Sequence, residues 1–279
     1  MPRDGQSEGW SDPLVRQAFA QVRRWRHWLH PERKTWSEKD IHRLRVETRR
    51  FLAHVALLES WLPKDVVHGV RRTLKRCLRV TSELRDLQVH AVLAELLQSR
   101  HPSMGIFRHC LRRRARRLAR GLAKDLVRGR HARSLVNWQQ QLRAAASGRR
   151  ESEARDRRAA RRRLRQAFHR LLRWQERADS DPAWQHRVRV ALKSYRYLAD
   201  ALRAVWPKIT AERLERLHDC QSRMGELHDV RLFEARLAKF AARRESAAGF
   251  GACQWELARR RAALERAQRR ISVAAHGFR

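Results

Sequence analysis

Apolar residues along this chain recur three and four positions apart and almost never at alternate positions. That period lays them on one face of an α-helix, and the dominance of Leu, Ala, Arg, Glu and Gln supports helix throughout. Ile41, Leu44, Thr48, Phe51, Val55, Leu58 and Leu62 form one such seam, and Val188, Leu192, Tyr195, Leu202 and Trp206 form another. Start and stop signals divide the pattern. Ser11-Asp12-Pro13 opens a helix running to about Leu29, and Ser37 caps a second that ends near Trp61, ahead of Pro63. A third runs from about Lys64 into Leu97 with a bend around Ser82–Arg85, and a fourth follows Pro102-Ser103 to about Leu126. Further helices are predicted over about 151–177, from Asp181-Pro182 onward, over 211–223, 226–243 and 251–275. Arg130–Ala146 reads as an extra amphipathic helix with Leu135, Trp138 and Leu142 on its apolar face.

The pattern is written twice. His42-Arg43-Leu44-Arg45-Val46-Glu47-Thr48-Arg49 returns 144 residues later as His186-Arg187-Val188-Arg189-Val190-Ala191-Leu192-Lys193. Ser82-Glu83-Leu84-Arg85-Asp86-Leu87 returns 143 residues later as Gly225-Glu226-Leu227-His228-Asp229-Val230, and Cys77 and Cys110 match Cys220 and Cys253 at the same offset. A solenoid repeats every ~20–50 residues, so this spacing predicts an internal two-fold duplication. The expected fold is all-α: residues 1–129 as one helical half, 130–148 as a helical linker and 149–279 as the second half, each half a four-helix bundle.

Charge changes the picture from a fold to a partner. The chain carries 65 Lys+Arg against 29 Asp+Glu, a formal charge of +36. Such an imbalance works against compaction by self-repulsion and calls for an anion. The excess is mainly arginine, whose planar, permanently charged fork suits phosphate oxygens. No stretch approaches the ~20 apolar residues of a membrane helix, and the start lacks the apolar core of a signal peptide. Four cysteines without a Cys-x-x-Cys pair read as packing residues in a reduced, cytoplasmic setting. Neither a metal site nor a cofactor is expected.

The two copies of the first motif carry the candidate chemistry. At about 100° per residue, His42, Arg45 and Arg49 share an arc apart from the apolar seam, as do His186, Arg189, Lys193 and Arg196. A solvated stripe would alternate with carboxylates at i±4; these stripes hold none. Lys75 and Arg79, one turn apart on the third helix, add to the field, with Arg213, Arg216 and Arg223 as rough counterparts. In the second motif the aspartates Asp86 and Asp229 read first as structural, capping a helix or fixing a basic neighbour across the bundle, while Arg85 and His228 remain candidates for the site. His42, His186, His218 and His228 would make anion binding pH-sensitive.

These phrases resemble the CHAD domain, the conserved histidine α-helical domain: His42-Arg43-Leu44-Arg45-Val46 with Arg49-Arg50, Leu84-Arg85-Asp86, His186-Arg187-Val188-Arg189-Val190 with Lys193 and Arg196-Tyr197, and Gly225-Glu226-Leu227-His228-Asp229. The resemblance spans about Ser11 to Ala275. It implies a pseudo-two-fold pair of four-helix bundles with a basic channel between them that binds inorganic polyphosphate, and members are found with polyphosphate granules; the leading expectation is a non-catalytic polyphosphate-binding module. Leu52 and Ser82 depart from it, standing where the family usually has arginine and glycine. Some members are fused to triphosphate tunnel enzymes, but no Glu-x-Glu-x-Lys tunnel motif occurs here.

Two other functions compete. A phosphoanhydride-processing enzyme would draw on Glu83, Asp86, Glu226 and Asp229, but no Walker-type glycine loop or two-histidine zinc pattern accompanies them. Nucleic-acid backbone binding would use Arg112-Arg113-Arg114 and Arg161-Arg162-Arg163, without any base-reading motif, and weak non-specific binding is expected from charge alone.

Overall fold

A computed structural model describes residues 11–29, 36–127, 130–147, 153–177, 182–243 and 247–269. Among them the regular structure is helical, with no strand. Ten α-helices follow in order: α1 Ser11–His27, α2 Glu38–Leu57, α3 Lys64–Val80, α4 Ser82–Gln98, α5 Met104–Val127, α6 Arg130–Ser147, α7 Glu153–Glu176, α8 Pro182–Leu202, α9 Ala211–Ala241 and α10 Gly251–Arg269. The expected continuation of the last helix beyond Arg269 lies outside the described residues.

Local chemistry accounts for the starts. Ser37 Oγ accepts from the Asp40 amide at 3.1 Å while Asp40 Oδ2 accepts from the Ser37 amide at 3.0 Å, a reciprocal capping box that opens α2. Thr210 caps α9 by accepting from the Arg213 amide. The bend expected around Ser82–Arg85 is a clean junction at Thr81, where α3 ends and α4 begins. Its counterpart differs from expectation. The sequence predicted two helices over 211–223 and 226–243, but α9 runs unbroken through Gly225. That glycine meets nothing within 4 Å of the Cβ it lacks, so neither backbone strain nor close packing interrupts the helix there.

The α2 seam is buried along its length, from Ile41 to Leu62. Thr48 is its polar member: its hydroxyl donates to the Leu44 carbonyl at 2.6 Å and accepts from Trp25 Nε1 at 2.8 Å. An indole is thereby buried with its N–H satisfied. The α8 seam is equally buried at Val188, Leu192, Tyr195 and Leu202. Cys77, Cys220 and Cys253 are buried free thiols, and Cys110 is half-buried.

Two apolar cores result. The first joins α1 through α6, including Trp138 and Leu142 of α6, with Phe233, Leu237 and Ala241 of α9 and Phe250, Cys253 and Leu257 from the chain's end. The second joins α7, α8 and the start of α9, from Leu214 to Met224, with Leu14 of α1 and Ala53 and Leu57 of α2. The 31-residue α9 therefore serves both cores. Helix α2 packs on α8, and α4 on α9, so the helices bearing the repeated motifs meet one another.

Candidate anion-binding site

Charged stripes follow from the same helices. On α2 the positions 42, 45 and 49 lie i, i+3 and i+7, and on α8 the positions 186, 189, 193 and 196 continue the rule, so each set projects from one face. Because α2 packs on α8, the two faces are brought to one place. Arg49 interacts with Arg196, Arg189 with Arg49, and Lys193 with Arg189, Arg49 and Arg45. The second motif supplies the carboxylates. Asp86 on α4 faces Arg45, Arg236, Arg189 and Arg85, and Asp229 on α9 faces Arg189, Lys193 and Arg85. Cations and carboxylates from all four motif copies thus converge on a single cluster.

Its members are half-buried, and burial dominates their protonation. Desolvation lowers the Arg45 guanidinium to about 10, with Arg49 and Arg85 adding to the effect and Asp86 opposing it. Arg49 and Arg189 are lowered by the same cause. The ammonium of Lys193 is pushed down to about 6, first by burial and then by Arg189, Arg49 and Arg45, against the pull of Asp229. Asp86 and Asp229 are both raised by burial, their arginine neighbours acting in the other direction. Crowding like charges in low dielectric costs free energy that a bound polyanion would return.

Hydrogen bonds fix these side chains to different degrees. Arg45 Nη1 donates to the Leu78 carbonyl at 2.7 Å and to Thr81 Oγ1 at 2.9 Å. Leu78 O is the carbonyl that an unbroken helix would direct to residue 82, so Arg45 braces the α3–α4 junction. Arg49 hydrogen-bonds Tyr197, which is buried on α8. Arg85 donates to Glu38 Oε1 at 2.7 Å, tying α4 to the start of α2. Arg196 Nε donates to Gln221 Oε1 at 2.9 Å. Arg189 Nη2 lies 3.4 Å from His186 Nδ1, while its buried Nε has no hydrogen-bond partner among the described residues.

The histidines line the rim. His42 and His186 are exposed. Both are held below the usual histidine pKa, by burial first and then by arginine neighbours, Arg85 and Arg49 for His42 and Arg189 for His186. His228 is half-buried with its ring 5.5 Å from that of His186, and burial with Arg189 lowers it to about 3. In the unliganded protein these rings are neutral near pH 7.

Other sequence candidates stand apart. Arg50, 100° round the helix from Arg49, pairs with Glu47 at 3.0 Å and Asp200 at 3.4 Å in a groove lined by Gln17, Gln21 and Arg24 that also reaches Tyr197, the partner of Arg49. Lys75 and Arg79 are exposed on α3, Arg79 being adjacent to the carbonyl that Arg45 holds. Arg216 turns to Glu212 of its own helix at 3.3 Å, and His218 and Arg223 are exposed on the first half of α9. Leu52 is half-buried against the first core. Glu83 is exposed and pairs with Arg114; Glu226 is exposed and pairs with Arg260 at 2.7 Å. Arg236 escaped the sequence reading and could have been found as the residue two turns beyond Asp229; Tyr197 was quoted in the motif, one turn beyond Lys193, without a role.

Comparison with known proteins follows the same lines. A family model described as the CHAD domain matches residues 16–238. A crystal structure of the CHAD domain from the plant Ricinus communis superposes with a TM-score of 0.63 at 16% identity, covering 96% of this chain and 90% of the other. No curated protein matches the sequence.

Proposed function

This chain belongs to the CHAD family, and from that premise we propose that it is a non-catalytic binder of inorganic polyphosphate, holding the chain across a basic site built jointly by two duplicated halves. The carrying observation is the convergence of Arg45 and Arg49 with Arg189 and Lys193. Four cations from two motif copies stand among the carboxylates Asp86 and Asp229, with Arg85, itself paired with Glu38, and Arg236 beside them. A linear polyanion has the right form for such a row: each phosphate oxygen accepts charge-assisted hydrogen bonds, and each contact releases condensed counterions. The exposed cations Lys75, Arg79, Arg216 and Arg223 extend the field for a long chain, and binding would place the protein on polyphosphate granules.

Absence of catalysis belongs to the same reading. Phosphoryl transfer wants carboxylates presented to a metal or to a nucleophile. Here Asp86 and Asp229 are engaged by arginines, and Glu83 and Glu226 point to Arg114 and Arg260. The rival ligand is a nucleic-acid backbone, favoured by the exposed arginines Arg112, Arg113, Arg116 and Arg117 of α5. Competition between long polyphosphate and duplex DNA at moderate salt separates the two. Polyphosphate should displace DNA at equal phosphate concentration, with affinity falling steeply as salt rises. Displacement in the opposite sense, or no binding of polyphosphate at low salt, overturns the proposal.

A further inference from the structure

We propose that Lys193 is an acylation site, modified by acyl phosphates that dock their phosphate on the guanidiniums of Arg45, Arg49 and Arg189, and that its acylation switches off polyanion binding. The switching half rests on the polyphosphate reading above; the acylation half does not.

Among lysines whose side chains are described, Lys39, Lys64, Lys75, Lys208 and Lys239 are exposed, whereas Lys193 is half-buried among cations. Its charged and titratable neighbours are Arg45 and Arg49 on α2, Arg189 and His186 on α8, and Asp229 and His228 on α9, with Asp86 of α4 facing Arg189 behind them. Three guanidiniums beside one amine form a dock for a phosphate leaving group, and that is the part of an acyl phosphate a guanidinium recognises. In the step, the amine lone pair attacks the acyl carbon, an N–C bond forms and the C–O bond to phosphate breaks. The electron pair and one amine proton leave together on hydrogen phosphate. The guanidiniums stabilise the departing charge as it develops.

The nucleophile is prepared by its surroundings. With its pKa held at about 6, the amine is mostly unprotonated at neutral pH, whereas an ordinary lysine at about 10.4 offers roughly one part in a thousand. Lower basicity weakens the nucleophile. On a slope of about 0.4–0.5, the value known for thiols, the net advantage over an exposed lysine is about tenfold before docking is counted. A docked phosphate draws the amine back toward its charged form, more strongly for a long polyphosphate than for a dianion. Polyphosphate therefore protects Lys193 twice, by occupying the guanidiniums and by protonating the amine. Acylation, in turn, deletes one of the four central cations and fills the space beside the others.

The test treats the full chain with acetyl phosphate and locates acetylated lysines by mass spectrometry. Lys193 should react at least about tenfold faster than Lys75 or Lys239, with a rate that levels off above neutral pH while theirs keeps rising. Acetyl N-hydroxysuccinimide ester, a neutral donor, should show a smaller preference, and Arg189→Ala should reduce the preference seen with acetyl phosphate. An unreactive Lys193, or one no faster than Lys75, overturns the inference; equal preference with the neutral ester overturns the docking. Polyphosphate binding is then measured on the untreated chain, the acetylated chain and Lys193→Gln. Unchanged affinity after acetylation overturns the switch. An untreated chain that fails to bind polyphosphate overturns the proposed function while leaving the acylation result standing, and a chain that binds polyphosphate with an inert Lys193 overturns this inference alone.

Discussion

Arg45 and Arg189 occupy equivalent places in the repeated motif, yet their surroundings assign them different second duties. Both face the cluster, and truncating either to alanine should weaken binding of long polyphosphate by a similar amount, on the order of 1.5–3 kcal/mol for one charge-assisted contact. Stability separates them. Arg45 holds the Leu78 carbonyl and Thr81, so Arg45→Ala should cost about 1 kcal/mol, or roughly 2–4 °C in melting temperature for a chain of this size. Arg189 Nη2 lies 3.4 Å from His186 Nδ1 of its own helix and the side chain attracts Asp229 rather than bracing a backbone carbonyl, so Arg189→Ala should cost less stability than Arg45→Ala. Binding isotherms and melting curves on the two variants check both halves of the statement. The pH response belongs to Lys193 more than to the histidines. In the free protein its pKa lies at about 6, and phosphate oxygens would raise it, so binding takes up a proton. Affinity should strengthen as pH falls from about 10, the ordinary lysine range, toward 6 and level off below. His42, His186 and His228, all lowered in the free protein, add to the slope up to the value phosphate raises each of them to. Without ligand the sign reverses: the unfolded chain binds the Lys193 proton across this window and the native one does not, so stability rises with pH. Affinity against pH at fixed ionic strength should lose most of its slope above pH 6 in Lys193→Arg, which stays charged.

At the scale of elements, the position of α2 decides the site, since its cationic face is aimed by the seam behind it. Thr48 sits in that seam with its hydroxyl shared between the Leu44 carbonyl and the Trp25 indole. Thr48→Val keeps the shape but orphans a buried N–H, and should destabilise by about 1–3 kcal/mol with a smaller effect on polyphosphate affinity at temperatures well below melting. Denaturant unfolding beside a binding titration measures the difference. The junction at Thr81 and the continuity of α9 show how equivalent segments diverge. In the first copy Thr81 Oγ1 donates to the Cys77 carbonyl at 2.8 Å and accepts from Arg45, which stabilises the break. In the second copy Met224 stands 143 residues after Thr81; it carries no hydroxyl to compete with the backbone, and the helix continues.

At the scale of the molecule, the cores do not follow the order of the chain. Helix α9 gives Leu217 and Met224 to the second core and Phe233 and Leu237 to the first, and α10 adds Leu257 to the first. Phe233 packs edge-on against Phe107 of α5 at 5.6 Å. Residues 1–129 expressed alone would lack these side chains and expose the surfaces they cover. The isolated fragment should therefore fail to give a cooperative melt, whereas the full chain should unfold in one transition. Calorimetry on both settles it, and a cooperative fragment would contradict the shared core.

What the sequence determined by itself was whatever repeats with the helical period. The seams of α2 and α8, the stripes His42–Arg45–Arg49 and His186–Arg189–Lys193 and most helix starts follow from 3.6-residue geometry and capping chemistry, which act within one turn. Only the tertiary structure decided what those stripes meet. Asp86 and Asp229 read along the chain as caps or as partners of a basic neighbour across the bundle, and which cations they meet was decided by the packing of α4 on α9 and α2 on α8. Arg49 and Arg50 are adjacent and chemically identical in the sequence, yet one enters the cluster and the other pairs with Asp200 in the groove beside it. The depressed pKa of Lys193 has only part of its cause in its own helix: Arg189 stands one turn before it, whereas the burial that dominates and the crowding by Arg49 and Arg45 come from packing.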